Sequence, residues 1–334
     1  MKDIYCLAIE SSCDETSVSI VKNGTTEIAT VTSTQIDIHA LYGGVVPEIA
    51  SRKHIENITI ILNELLIKSK MKIEDIDFIA VTYGPGLIGS LLIGVMTAKT
   101  LSFIYKKPIV PVHHIAGHIY ASNLTERLSF PLIALVVSGG HTELIYMDAD
   151  YSFKKIGETL DDAVGEAYDK VGRILELPYP AGPKLDSLAH RGKDTYNLPT
   201  PLDDESYNFS FSGLKSACMN LKNTLSMKKE VLRKEDLAAS FQNRVVKILV
   251  KKTIKAALEY NVKNIIIAGG VAANSGLRDE LKKAAIDNSI NLIIPDLKNC
   301  TDNATMIASA GYYAFLKNGA SELDFNAKAT ESLF

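Results

Sequence analysis

The sequence predicts an α/β fold of two similar lobes with a cleft between them. Three observations lead there. At 334 residues, 46% of them hydrophobic, the chain suits two cores better than one. A strand meander occurs twice. A strand, a glycine turn and a helix also occur twice, each set following one of the meanders.

The first meander opens the chain. Residues 4–9 are apolar and rich in strand formers, and 10–16 form a polar loop. Residues 17–21 are apolar again, Asn23-Gly24 makes a hairpin turn, and 27–31 continue the sheet. Its counterpart has a strand at 132–137, the small turn Ser138-Gly139-Gly140-His141, a strand at 142–147 and a turn at 148–150. The second unit runs from a strand at 78–82 through Gly84-Pro85-Gly86 into a helix at 90–105. It recurs as a strand at 265–268, the turn Gly269-Gly270 and a helix at 275–285.

A mainly helical stretch separates the second meander from the second strand–turn–helix. Spacing predicts helix over 160–177, a break at Pro178, Pro180 and Pro183, and a long helix over 236–260. The last helix spans about 304–316 and Gly319 stops it. The residues beyond read as a loose tail.

A net charge of −3 supplies no global positive field, which disfavours non-specific polyanion binding. A nucleic acid would be held by a local patch, by shape or by another subunit. Cys6, Cys13, Cys218 and Cys300 form no CxxC pair, which fits a reducing compartment. The N-terminal apolar run is too short to span a membrane and lacks a signal-peptide pattern or an Arg-rich leader. The expectation is a cytoplasmic protein without a membrane partner.

His113, His114 and His118 fall within six residues. On a helix, His114 and His118 share one face, the spacing two imidazoles need to share a metal. Spacing alone leaves metal ligation and two ordinary helix histidines equally open. A zincin carries HExxH, with glutamate as general base. Here Ile115 follows His114, so that hydrolytic mechanism is disfavoured. Asp302 follows the strand at 291–295 and opens the last helix, at the mouth of the second lobe. By residue type it reads first as an N-cap. As a third ligand it would leave positions open for water or substrate.

Three glycine turns end strands: Gly84-Pro85-Gly86, Gly139-Gly140 and Gly269-Gly270. Backbone N–H groups there can approach phosphates, with Ser138 and His141 as added donors. The loop from Glu10 to Thr16 holds Glu10, Asp14 and Glu15. It reads as a solvated turn, or as a device positioning metal, water or phosphate. Asp169, Gly182 and Asp186 lie on or beside the helical stretch and carry no signal of their own.

Longer motifs are more specific. ESSCDET (10–16), GGVVPEIASRKH (43–54), GPGLIGSLLIG (84–94), HHIAGH (113–118), VSGGHT (137–142), FSFSGLKSA (209–217), GGVAANSGLR (269–278) and CTDNATMIA (300–308) together resemble the TsaD family, long labelled a glycoprotease. The resemblance runs in order along nearly the whole chain and looks like the stand-alone bacterial member. It implies the duplicated actin/hexokinase/Hsp70-like ATPase fold. It implies an acyltransferase that moves threonylcarbamoyl from threonylcarbamoyl-adenylate to N6 of adenosine 37, in tRNAs reading codons that begin with A.

The family's metal ligands fall on His114, His118 and Asp302, with iron (Fe2+) expected and zinc (Zn2+) the alternative. Its adenylate positions fall on Val137, Ser138, Gly139, Gly140, His141, Asp169, Gly182, Asp186 and Asn274, so an adenylate or ATP-type nucleotide is expected in the cleft. Asn274 and Asp186 would fix the ribose, and Glu10 or Asp14 is the candidate for orienting the adenine amine. Expected partners are tRNA, a TsaB-like inactive paralogue and a TsaE-like small ATPase. Members often carry glutamate two places after the first ligand histidine. Ala116 stands there, which puts any role of that glutamate in doubt. The competing readings are a metal-dependent sialoglycoprotein endopeptidase, an ATP-dependent kinase of the same fold and a non-enzymatic scaffold. The expected domains are 1–112, with the helix at 303–318 packing back on it, then 113–302 including a helical insertion at about 150–260, and a tail at 319–334.

Overall fold

The computed structural model describes residues 2–333. β1 (Tyr5–Glu10), β2 (Glu15–Lys22) and β3 (Thr26–Thr34) form an antiparallel meander. Asn23 and Gly24, at φ 53° and 71°, supply the left-handed conformations of its tight turn. α1 (Ile36–Ala40) and α2 (Pro47–Ser69) follow, then β4 (Phe78–Gly84), α3 (Ile88–Tyr105), β5 (Ile109–His113) and α4 (His114–Ala121). The sheet order is β3-β2-β1-β4-β5, with β4 parallel to both β1 and β5. Leu7, Ile9, Ile20 and Val81 pack with Ile58 and Leu65 of α2 and with Leu91 and Val95 of α3. This apolar layer fixes the sheet against two helices.

The same plan repeats. β6 (Leu132–Val137), β7 (Thr142–Met147) and β8 (Lys154–Glu158) form the second meander. The helices α5 (Val164–Ile174), α6 (Gly182–Ala189), α7 (Ser212–Met227) and α8 (Lys234–Glu259) come next. β9 (Asn264–Ala268), α9 (Ser275–Asp287) and β10 (Asn291–Ile293) complete the unit. Its sheet order, β10-β9-β6-β7-β8, matches the first strand for strand. The expected duplication of meander and strand–turn–helix is present in both sheets.

α10 (Ala304–Asn318) packs on the first sheet, with Ala304 N–H donating to Ser17 Oγ at 3.0 Å and Ser309 Oγ donating to the Gly24 carbonyl at 2.7 Å. The first compact unit therefore runs to Leu128 and adds Ala149–Phe153 and the chain from Pro295; the second holds Ser129–Asp148 and Lys154–Ile294. This differs from a division at 112/113. α4 stays with the first unit because it packs on α10: a Cβ on Gly117 would lie 2.6 Å from Ile307 Cδ1. The stretch expected as a helical insertion from about 150 begins instead with β8, paired to β7.

The tail is not loose. Ser321 N–H donates to the Ile109 carbonyl and Lys328 N–H to that of Tyr83, both at 2.8 Å, and Ala327 is in the core. Gly86 N–H donates to the Ala329 carbonyl at 3.1 Å.

Candidate functional site

β5 ends on His113 and α4 starts at once with His114, so one junction presents all three clustered histidines. Their roles separate. His113 is the N-cap: its Nδ1 accepts from Ile115 N–H at 3.2 Å, and its Nε2 donates to the Glu331 carbonyl at 3.1 Å. Burial holds its pKa down to about 4. His114 and His118 lie one turn apart on the same face, their ring centroids 4.6 Å apart.

Asp302 meets them. Its Oδ1 is 3.6 Å from His114 Nε2 and 3.2 Å from His118 Nε2, and the three groups offer donor atoms within 4.8 Å of one another. Asp302 is not the helix cap that its residue type suggests. Asn303 takes that role, its Oδ1 accepting from Met306 N–H at 2.9 Å. Asp302 does not cap α10, and it belongs to the first unit, not to the second lobe.

The chemistry of this set fits a metal. His118 is 1% exposed, yet neither ring nitrogen makes a hydrogen bond among the described residues. Its approach to Asp302 is close but lacks hydrogen-bond alignment. A buried imidazole without a partner is costly, and a cation facing Nε2 would satisfy it. Two imidazoles and one carboxylate suit divalent iron or zinc and leave coordination positions open.

Behind His114 stands a second layer. Its Nδ1 lies 3.3 Å from Glu10 Oε2 and 3.2 Å from Ser12 Oγ. Glu10 is fully buried at the end of β1, where it also accepts from Ser12 N–H and Thr82 Oγ1, each at 2.5 Å. A carboxylate at Nδ1 holds a ring proton there and aims Nε2 at Asp302, so a cation could take the place of the Nε2 proton. Burial disfavours the charged imidazole, but Asp302 and Glu10 outweigh it and raise His114 to about 9. Burial likewise raises Glu10, but the His114 charge and hydrogen bond prevail and lower its pKa.

Glu10 therefore supports His114 from behind. Asp14, four residues further along the loop, is also buried. Glu15, pushed up to about 10 by burial and by the carboxylates of Asp302 and Asp14, completes an acidic arc.

The second unit holds a cavity of about 320 Å³. Its lining includes Gly139, Asp169, Gly182, Asp186 and Asn274. Val137, Ser138, Gly140 and His141 shape the turn without lining it. Ser138 N–H donates to the His141 carbonyl at 2.8 Å, and His141 N–H donates to Ser138 Oγ at 3.1 Å. Gly269, at φ 92°, sits so close beneath that a Cβ would be 2.4 Å from the Val137 carbonyl oxygen.

Gly165 in the first turn of α5, Gly182 opening α6 and Asn274 capping α9 bring three helix N-termini to the cavity. Several of their first N–H groups are already engaged: Val164 N–H donates to Thr142 Oγ1 at 2.8 Å, Gly165 N–H to the Ser138 carbonyl at 3.1 Å and Leu277 N–H to Asn274 Oδ1 at 2.8 Å. The helix dipoles still favour an anion there. Asp169 accepts from Ala181 N–H at 2.8 Å, and burial raises its pKa. Asp186 Oδ2 accepts from Ser275 N–H at 3.0 Å and Ser275 Oγ at 2.7 Å. Sequence reasoning missed Tyr168, Tyr179 and Pro180 in this lining. The proline run at 178–183 was legible only as a break, and it is also a wall.

A profile of the TsaD family, tRNA N6-adenosine threonylcarbamoyltransferase, matches residues 26–309. The chain belongs to the TsaD family. Among its TsaD relatives, the protein of Staphylococcus haemolyticus is 56% identical across 98% of this chain and 96% of its own length. That of Bacillus subtilis strain 168 is 57% identical across 98% and 95%. Both are named tRNA N6-adenosine threonylcarbamoyltransferase.

Solved structures of lower identity share the actin-like ATPase fold. T. kodakarensis HypF superposes with a TM-score of 0.63 at 15% identity, covering 95% of this chain and 48% of HypF. The activator of 2-hydroxyisocaproyl-CoA dehydratase from Clostridium difficile, with bound ADPNP, gives 0.53 at 17% identity over 95% of each chain.

Proposed function

We propose that this TsaD-family transferase moves the threonylcarbamoyl group from threonylcarbamoyl-adenylate to N6 of adenosine 37, in tRNAs reading codons that begin with A. The observation that carries this reading is the near full-length identity of 56–57% to proteins named for that transfer. In the reaction the adenine amine attacks the carbamoyl carbon. A C–N bond forms, the bond from that carbon to the phosphate oxygen breaks, AMP leaves and the amine nitrogen loses a proton.

In this reading the cavity of the second unit binds the adenylate. The amides of the Gly139-Gly140 and Gly269-Gly270 turns hold its phosphate, and Asp186 and Asn274 position the ribose. His114, His118 and Asp302 would hold a divalent metal, iron first and zinc as the alternative. When bound, it supplies Lewis-acid stabilisation to a carbonyl oxygen. Glu10 and Ser12 keep His114 in the ligating tautomer. Glu10 or Asp14 is the candidate for orienting the amine. Holding both substrates in register supplies much of the rate, so no serine or cysteine nucleophile is required.

The proposed partners are tRNA, a TsaB-like inactive paralogue and a TsaE-like small ATPase, in the cytoplasm. Exposed apolar side chains support a protein partner: Ile60 and Ile67 on α2, and Leu92, Met96 and Phe103 on α3. The test is reconstitution of the chain with those partners, threonylcarbamoyl-adenylate and tRNA, followed by mass spectrometry of the nucleosides. The modified adenosine is expected; free threonine and unmodified tRNA alone would contradict the reading.

A further inference from the structure

Gln242 is a polar residue on the buried side of α8, 6% exposed and next to Phe241 in the core. A buried amide is costly unless both of its ends are bonded. Here both are. Nε2 donates to Asp186 Oδ1 at 2.8 Å. Oε1 accepts from Asn274 Nδ2 at 2.9 Å and from Tyr168 OH at 3.4 Å. Asp186, Asn274 and Tyr168 all line the cavity, and Gln242 does not.

One amide orientation satisfies this network. Asp186 can only accept when charged. Asn274 Oδ1 is already taken by Leu277 N–H at 2.8 Å, so its Nδ2 must donate. Gln242 therefore has to present Nε2 to Asp186 and Oε1 to Asn274. The close fit extends to α9, where a Cβ on Gly276 would lie 2.7 Å from Gln242 Nε2. With Gln242 on Oδ1 and Ser275 on Oδ2, Asp186 is held in one rotamer, with acceptor capacity left for hydroxyl groups of a ligand.

We infer that Gln242 is a positioning residue for nucleotide binding, setting Asp186 and Asn274 from behind the cavity wall. This rests on the reading that the cavity takes a nucleotide. The alternative is a purely structural tie between α8 and the helices α6 and α9.

The test is calorimetric titration of AMP into the full chain, with Gln242→Met, Gln242→Glu, Asp186→Ala and the double variant Gln242→Met/Asp186→Ala. Gln242→Met should weaken AMP binding about 10-fold, while adding under about 2-fold in the Asp186→Ala background, because residues acting as one network are not additive. Gln242→Glu keeps the acceptor but faces Asp186 with a second carboxylate. It should weaken AMP at least as much as Gln242→Met, and it serves if the latter does not fold. In the reconstituted reaction, KM for threonylcarbamoyl-adenylate should rise with kcat held within about 2-fold.

Lowered thermal stability with unchanged AMP affinity would show a structural tie only and overturn the inference. So would full additivity with Asp186→Ala. A wild-type chain that binds no AMP would instead sink the nucleotide reading itself, and this inference with it.

Discussion

Glu10 Oε2 lies 3.3 Å from Nδ1 of His114, and Glu10 is fully buried. The pair links the end of β1 to the start of α4, and through it the meander sets the orientation of a candidate ligand. Glu10→Gln keeps the volume and one acceptor but removes the charge. It should weaken metal retention about 10- to 100-fold, the usual cost of losing such a support. Competition with a chelator measures this; an affinity equal to wild type would show that Glu10 does not support the ligand.

Asp302 and Asn303 are adjacent and do different work. Asn303→Ala removes the cap of α10 and should cost about 1 kcal/mol of stability while leaving metal retention largely intact. Asp302→Ala should abolish metal retention without removing the cap. Urea unfolding and metal analysis of both variants separate the roles, and the reverse pattern would exchange them.

Those two residues also mark where sequence reading stops. Both are good caps by type, and only the backbone at 303, with its bond to Met306, decides between them. The meanders are legible because polar or glycine turns bound each strand. α2 is not: its inward stripe of Ile58, Ile61 and Leu65 is hidden in the sequence by Ile55, Ile60 and Ile67, which face outward. The His114/His118 pair is legible as a local spacing. Gln242 is not, because its partners Asp186 and Asn274 lie 56 and 32 residues away along the chain.

The ordered tail predicts a stability effect far from any chemistry. Phe325 is half-buried beneath Lys99, whose Nζ lies 4.6 Å from the ring centroid. Phe325→Ala should cost about 1–2 kcal/mol from lost apolar burial. The urea midpoint should fall with the slope unchanged. No shift would mean that the tail is loose in solution.

His54 predicts a pH dependence. It is buried, paired with Thr16 Oγ1 at 2.8 Å and the Cys13 carbonyl at 2.9 Å. Burial lowers its pKa from 6.5, so the fold holds it neutral. The unfolded chain takes up a proton there that the folded chain refuses. Its contribution to stability is therefore complete above about pH 6.5 and declines as pH falls below that value, toward the lower folded pKa. Urea unfolding of wild type and His54→Gln from pH 5 to 8 should show a shallower acid decline in the variant. Parallel curves would assign the decline to other groups.

The central claim is that one three-residue set holds the metal and that transfer depends on it. The most direct measurement is the metal content of His114→Ala/His118→Ala, alongside its yield of modified nucleoside in the reconstituted reaction. Loss of both together, in a chain that still binds AMP, is the expected result. Full transfer by the metal-free double variant would contradict the account.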